Sequence, residues 1–63
     1  MSMQDVSYSQ ALVDAAEQYV RNPARTSDAQ LALLLKFEPG RNFWKAAAEI
    51  FLHLRRGANI QAP

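Results

Sequence analysis

The chain has no cysteine, so no disulfide can reinforce its core and no thiolate can bind a soft metal or act as a nucleophile. A single histidine without cysteine argues against a structural zinc site, and no metal or other cofactor is expected. Charge of one sign is also lacking. Seven basic and six acidic side chains leave a formal net charge of +1. A dedicated nucleic-acid binder is usually more basic, and a nucleic-acid mimic would be strongly acidic. No apolar run reaches 18 residues, so no membrane-spanning helix and no membrane partner are expected. The opening MSMQDVSYSQ lacks the basic and apolar regions of a signal peptide, which makes the cytoplasm the expected compartment. β-branched residues are few and no alternation persists, so strands are not expected. With 63 residues the chain forms one domain. A domain of this size buries only about 60% of its unfolded surface. Dense helix packing and oligomerisation are the remaining ways to stabilise it.

What is present is helical pattern. The most informative stretch is Asn42 to Gly57, NFWKAAAEIFLHLRRG. Asn42 is placed to accept an orphan backbone N–H as N-cap, and Gly57 suits the left-handed residue that ends a helix. Arg55 and Arg56 fall in the last turn, where positive charge suits the helix dipole. Lys45, Glu49, His53 and Arg56 share one narrow polar arc. Phe43, Trp44, Ala46, Ala47, Ala48, Ile50, Phe51, Leu52 and Leu54 fill nearly all the rest. An apolar arc so wide needs neighbours on more than one side.

Two shorter helices precede it. The first is expected over about residues 8–21, with Ser7 favoured as its cap over Asp5 and Ser9. Its apolar stripe is Tyr8, Ala11, Leu12, Ala15, Ala16, Tyr19 and Val20. Asn22-Pro23 ends it, because proline lacks the N–H and disfavours a helical residue before it. Ser27-Asp28-Ala29-Gln30 has the form of a capping box and opens a second helix over about residues 28–37. Leu31, Leu34 and Leu35 make one stripe there, and Leu33 and Phe37 make another. Glu38-Pro39-Gly40-Arg41 reads as a type II turn with Gly40 supplying positive φ. The third helix spans about residues 43–56. Met1–Val6 reads as a loose lead-in and residues 58–63 as a frayed tail. The expected fold is an all-α three-helix domain that self-associates as a two-fold dimer, with Leu12, Leu31, Leu35, Ile50 and Leu54 in its core.

Residues 27–54 resemble helix-turn-helix proteins in gross arrangement only: two helices joined by a short turn that contains glycine. That resemblance implies DNA contacts by Arg41, Asn42 and Lys45 at the start of the third helix, with Arg25 on a flanking phosphate. Against it, the third helix opens Phe-Trp, and Glu49 shares the face of Lys45. His53 has Glu49 and Arg56 one turn away, but no serine or cysteine nearby to form a nucleophilic constellation, so no enzymatic activity is expected. The favoured reading is a small regulator, inhibitor or adaptor that binds another protein and also itself. A phage or plasmid accessory protein would fit this size. The expected contact residues are Leu33, Phe37, Trp44 and Phe51 as apolar anchors, with Arg41 and Lys45 as a basic edge. DNA binding by a small transcriptional regulator is the alternative.

Overall fold

A computed structural model describes residues 5–61. The described residues form, in order, strand β1 (Ser7–Ser9), helix α1 (Gln10–Arg21), a 3-10 turn (Pro23–Arg25), helix α2 (Asp28–Phe37), helix α3 (Phe43–Arg55) and strand β2 (Asn59–Gln61). Three helices are present as the periodicity implies, but the domain is mostly helical rather than all-α. The two strands pair in parallel, with Ser7 opposite Asn59, Tyr8 opposite Ile60 and Ser9 opposite Gln61. Parallel strands need a long crossover, and here the three helices together provide it.

Each helix end has an identifiable cause. Ser9, not Ser7, caps α1: its side chain accepts the Leu12 N–H at 3.2 Å. Tyr8 therefore lies in an extended segment that alternates exposed, buried, exposed, a strand period rather than a helical one. Glu17 and Arg21 form an i,i+4 ion pair at 3.1 Å, on the surface. The capping box at Ser27 and Gln30 is formed in both directions. Asn42 accepts the Lys45 N–H at 3.1 Å and starts α3. In the turn between α2 and α3, the Arg41 N–H reaches the Glu38 carbonyl at 3.2 Å. The positive φ falls on Arg41, at 59°, and not on Gly40, so this is not the expected type II turn.

The end of α3 builds the sheet. Gly57 has φ 111°, its N–H bonds the Leu54 carbonyl at 3.2 Å, and the Ala58 N–H bonds the His53 carbonyl at 2.9 Å. This crossed pair is a Schellman motif, and glycine is the residue that tolerates its left-handed position. It turns the chain back along the molecule. The Asn59 N–H then reaches the Val6 carbonyl at 2.7 Å. Residues 59–61 of the expected frayed tail are thus a strand, and Val6 of the expected lead-in packs against the core. Residues 1–4 and 62–63 of those two segments lie outside the described residues.

Helices α1 and α3 run antiparallel. Tyr19, near the end of α1, meets Phe43 and Trp44 at the start of α3, and Tyr8, just before α1, meets His53 near the end of α3. The buried core is Tyr8, Val13, Ala15, Ala16, Leu34, Ala46, Ala47 and Ile50. Only Leu34 and Ile50 are large and fully enclosed. The alanines of α1 and α3 carry no side chain beyond Cβ, so the two backbones can pack closely. Of the expected core, Ile50 is fully buried, while Leu12, Leu31, Leu35 and Leu54 are half-buried. So thin a domain has one central layer, and leucines off its midline keep an edge in water.

Candidate functional site

The described residues enclose no pocket. A contact site must then be sought on the open surface. Two clusters stand out, one along the outside of α3 and one at its C-terminal end.

The outward face of α3 carries Trp44, Ala48 and Leu52, all exposed. They are spaced i, i+4, i+8 and so form one ridge along the helix. Trp44 is 54% exposed and Leu52 44%, which is high for large apolar side chains on one helix face. The inward face of the same helix holds Ala46, Ala47 and Ile50 in the core. Trp44 is anchored from one side: its ring meets Tyr19 edge-on at 5.1 Å. Tyr19 in turn packs on Phe43 at 5.5 Å. The indole is thus held on an aromatic base while most of its surface faces water.

Charged side chains flank this ridge. Lys45, Arg55 and Arg56 are exposed towards the two ends of α3, and Glu49 is half-buried. Lys45 Nζ lies 3.8 Å from a Glu38 carboxylate oxygen, a partly exposed pair of small energetic weight. Arg41 is exposed just before the helix and adopts the left-handed conformation that disfavours a residue with a Cβ.

The second cluster sits where β1 crosses the end of α3. The Tyr8 hydroxyl is hydrogen-bonded to His53 Nδ1, and the two rings are nearly parallel, with centroids 6.0 Å apart. Phe37 meets the Tyr8 ring edge-on at 5.7 Å. Burial raises the Tyr8 phenol above its ordinary value, and the nearby Glu49 carboxylate raises it further. One tyrosine therefore ties β1 to α2 and to α3. The sequence gives no sign of this contact, because the two partners are 45 residues apart and Tyr8 also fits the helical stripe of α1.

The expected contact residues divide between these places. Trp44 is largely exposed, and Arg41 and Lys45 lie at the surface near it. Phe51 is half-buried and packs on the core rather than standing free. Leu33 and Phe37 do not form an exposed pair. Both are half-buried against the core, Phe37 under the ring that β1 supplies. Leu52 joins Trp44 on the open face in their place. A helical wheel puts Leu52 beside Trp44 and Ala48, but only the packing of α1 shows which side of so apolar a helix is left uncovered.

The residues of the helix-turn-helix reading are placed as follows. Arg25 is exposed at the end of the 3-10 turn. The Asn42 side-chain oxygen is occupied by its own helix N-terminus. Lys45 faces Glu38, and the open face of α3 presents Trp44, Ala48 and Leu52. Among the described residues no helix is long and apolar enough to cross a membrane. In comparisons with protein-family models, curated proteins and solved structures, nothing matches this chain.

Proposed function

We propose that this chain is a small protein-binding module, acting as a regulator, inhibitor or adaptor, and that it docks through the outer ridge of α3. The observation that carries the reading is the exposed line of Trp44, Ala48 and Leu52 on a helix that buries Ala46, Ala47 and Ile50 on its other side. Tryptophan is enriched among the residues that dominate the energy of protein interfaces, and Leu52 and Ala48 extend the apolar surface around it. Arg41, Lys45, Arg55 and Arg56 supply a basic border, so the complementary surface is apolar at its centre with acidic groups at its rim.

DNA binding is the weaker reading. A helix that reads a major groove needs polar side chains with reach along its exposed face, whereas the ridge of this one is an indole, a methyl and an isobutyl group, with Lys45, Arg55 and Arg56 beside it. Of its three candidate contacts at the start of α3, Asn42 is engaged as the cap and Lys45 faces a carboxylate.

The test is ridge-dependent capture. Wild-type chain, Leu52→Glu and a control substituted elsewhere on the surface, Ala32→Glu, are used as baits in extracts of the source cell. A partner of the proposed kind is retained by wild type and control and lost with Leu52→Glu, while circular dichroism stays helical for all three. Capture unaffected by Leu52→Glu, or duplex DNA binding that falls steeply with salt, would overturn the reading.

A further inference from the structure

We infer that the ridge of α3 is self-complementary and takes a second copy of this chain, antiparallel, about a two-fold axis at Ala48. This rests on the protein-binding reading above and names one partner for the same face. Ala48 lies midway between Trp44 and Leu52, so an antiparallel copy centred on Ala48 sets each Trp44 against Leu52 of the other copy. The two small Ala48 side chains meet at the axis, where helices must approach most closely.

The charges fit the same axis. Lys45 and Glu49 lie on one flank of the ridge, on either side of Ala48 along the helix. A two-fold axis through Ala48 keeps that flank on the same side of the pair and reverses its direction. Lys45 of one copy then falls within one helical turn of Glu49 of the other, and the symmetry forms this crossed contact twice. Were the two charges of like sign, the same operation would oppose them. At the far end, Arg55 comes to the Trp44 ring of the second copy, a cation over an aromatic face. It also approaches Arg41 there, a like-charge contact that weakens the pair. A single helix ridge is small beside the roughly 800 Å² per partner of a stable interface. The expected association is therefore reversible and concentration-dependent.

Sedimentation equilibrium tests this with wild type, Lys45→Glu, Glu49→Lys and an equimolar mixture of the two variants. Wild type should move from 7.1 kDa towards twice that mass as it is concentrated. Each charge reversal alone opposes like charges across the axis and should weaken self-association about tenfold. The mixture should recover it. In a mixed pair the carboxylate introduced by Lys45→Glu faces the ammonium introduced by Glu49→Lys, and the unaltered Lys45 of one copy faces the unaltered Glu49 of the other. Should either variant lose its helical signal, Ala48→Cys gives an independent reading in a chain that has no other cysteine. Placed at the axis, that thiol should oxidise to a covalent dimer much faster than Ala32→Cys on α2. Wild type that stays at 7.1 kDa throughout overturns the self-pairing, as does a dimer indifferent to both charge reversals or equal oxidation rates at the two cysteines. The protein-binding reading fails separately, by partner capture that ignores Leu52→Glu.

Discussion

Replacing Tyr8 with phenylalanine removes one oxygen from the place where β1, α2 and α3 meet. The ring stays, with its edge-on contact to Phe37 at 5.7 Å, and only the hydroxyl bond to His53 Nδ1 is lost. His53 is half-buried, so water can reach the freed nitrogen and the full penalty of an unsatisfied buried polar atom does not apply. The expected loss is that of an ordinary hydrogen bond, about 0.5–1.5 kcal/mol. For a domain of this size that lowers the melting temperature by about 4–8 °C per kcal/mol. Removing the ring as well, with Tyr8→Ala, should cost about 3–5 kcal/mol, as for other buried aromatics. Total stability for a chain this short is only about 3–9 kcal/mol, so the alanine variant should lose about a third of it or more. The hydroxyl also sets a pH dependence. The fold raises the Tyr8 phenol above its unfolded value of 10.0, so it favours the neutral form. That stabilisation is complete below the unfolded value and is lost as pH rises through the raised folded value. Thermal melts followed by far-ultraviolet circular dichroism should therefore show wild type above Tyr8→Phe at pH 7, with the gap narrowing in strong alkali. Identical melts for wild type and Tyr8→Phe at pH 7 would refute the hydrogen bond. A Tyr8→Ala variant no weaker than Tyr8→Phe would refute the burial of the ring.

Four further substitutions probe the frame that holds α3 in place. Gly57→Ala puts a Cβ where φ is 111°, so it should cost about 1–3 kcal/mol in a denaturant titration and expose the β2 amides to hydrogen exchange. Ala47→Leu adds three carbons at a fully buried site, so the melt should drop by the equivalent of about 1–3 kcal/mol, whereas Ala48→Leu on the open face should leave it unchanged. Arg41→Gly relieves a left-handed arginine at φ 59° and should raise stability by up to about 1 kcal/mol, an effect absent if Gly40 carried the strain.

The helices were legible because their signals are local. The capping box at Ser27 and Gln30, the caps at Asn42 and Gly57 and the stop at Asn22-Pro23 each act within one turn of chain. The sheet was not legible, because Ser7–Ser9 and Asn59–Gln61 are three residues each and gain their pairing only from contacts across the whole length of the chain. Tyr8 shows the difficulty in one residue. It continues the apolar stripe of α1 by period, yet Ser9 takes the cap and leaves Tyr8 extended, over Phe37 and His53. The same fact decides the apolar face of α2: once Tyr8 covers Phe37, Leu33 and Phe37 no longer make an open stripe. On α3 the wheel identifies an excess of apolar surface, but it does not say which side α1 covers. The fold decides it, burying Ala46, Ala47 and Ile50 and leaving the equally small Ala48 exposed.

The claim that matters most is that the outer ridge of α3 is a contact face, and the chain carries its own reporter there. Trp44 is the single tryptophan and is 54% exposed in the isolated chain. Its emission is followed as the chain is concentrated from about 1 µM to about 1 mM, the span in which a reversible pair of this size should form. The account predicts a shift of the emission to shorter wavelength and a fall in acrylamide quenching, both absent in Leu52→Glu. An indole that emits as a solvent-exposed group at every concentration, or a shift that Leu52→Glu leaves intact, would contradict it.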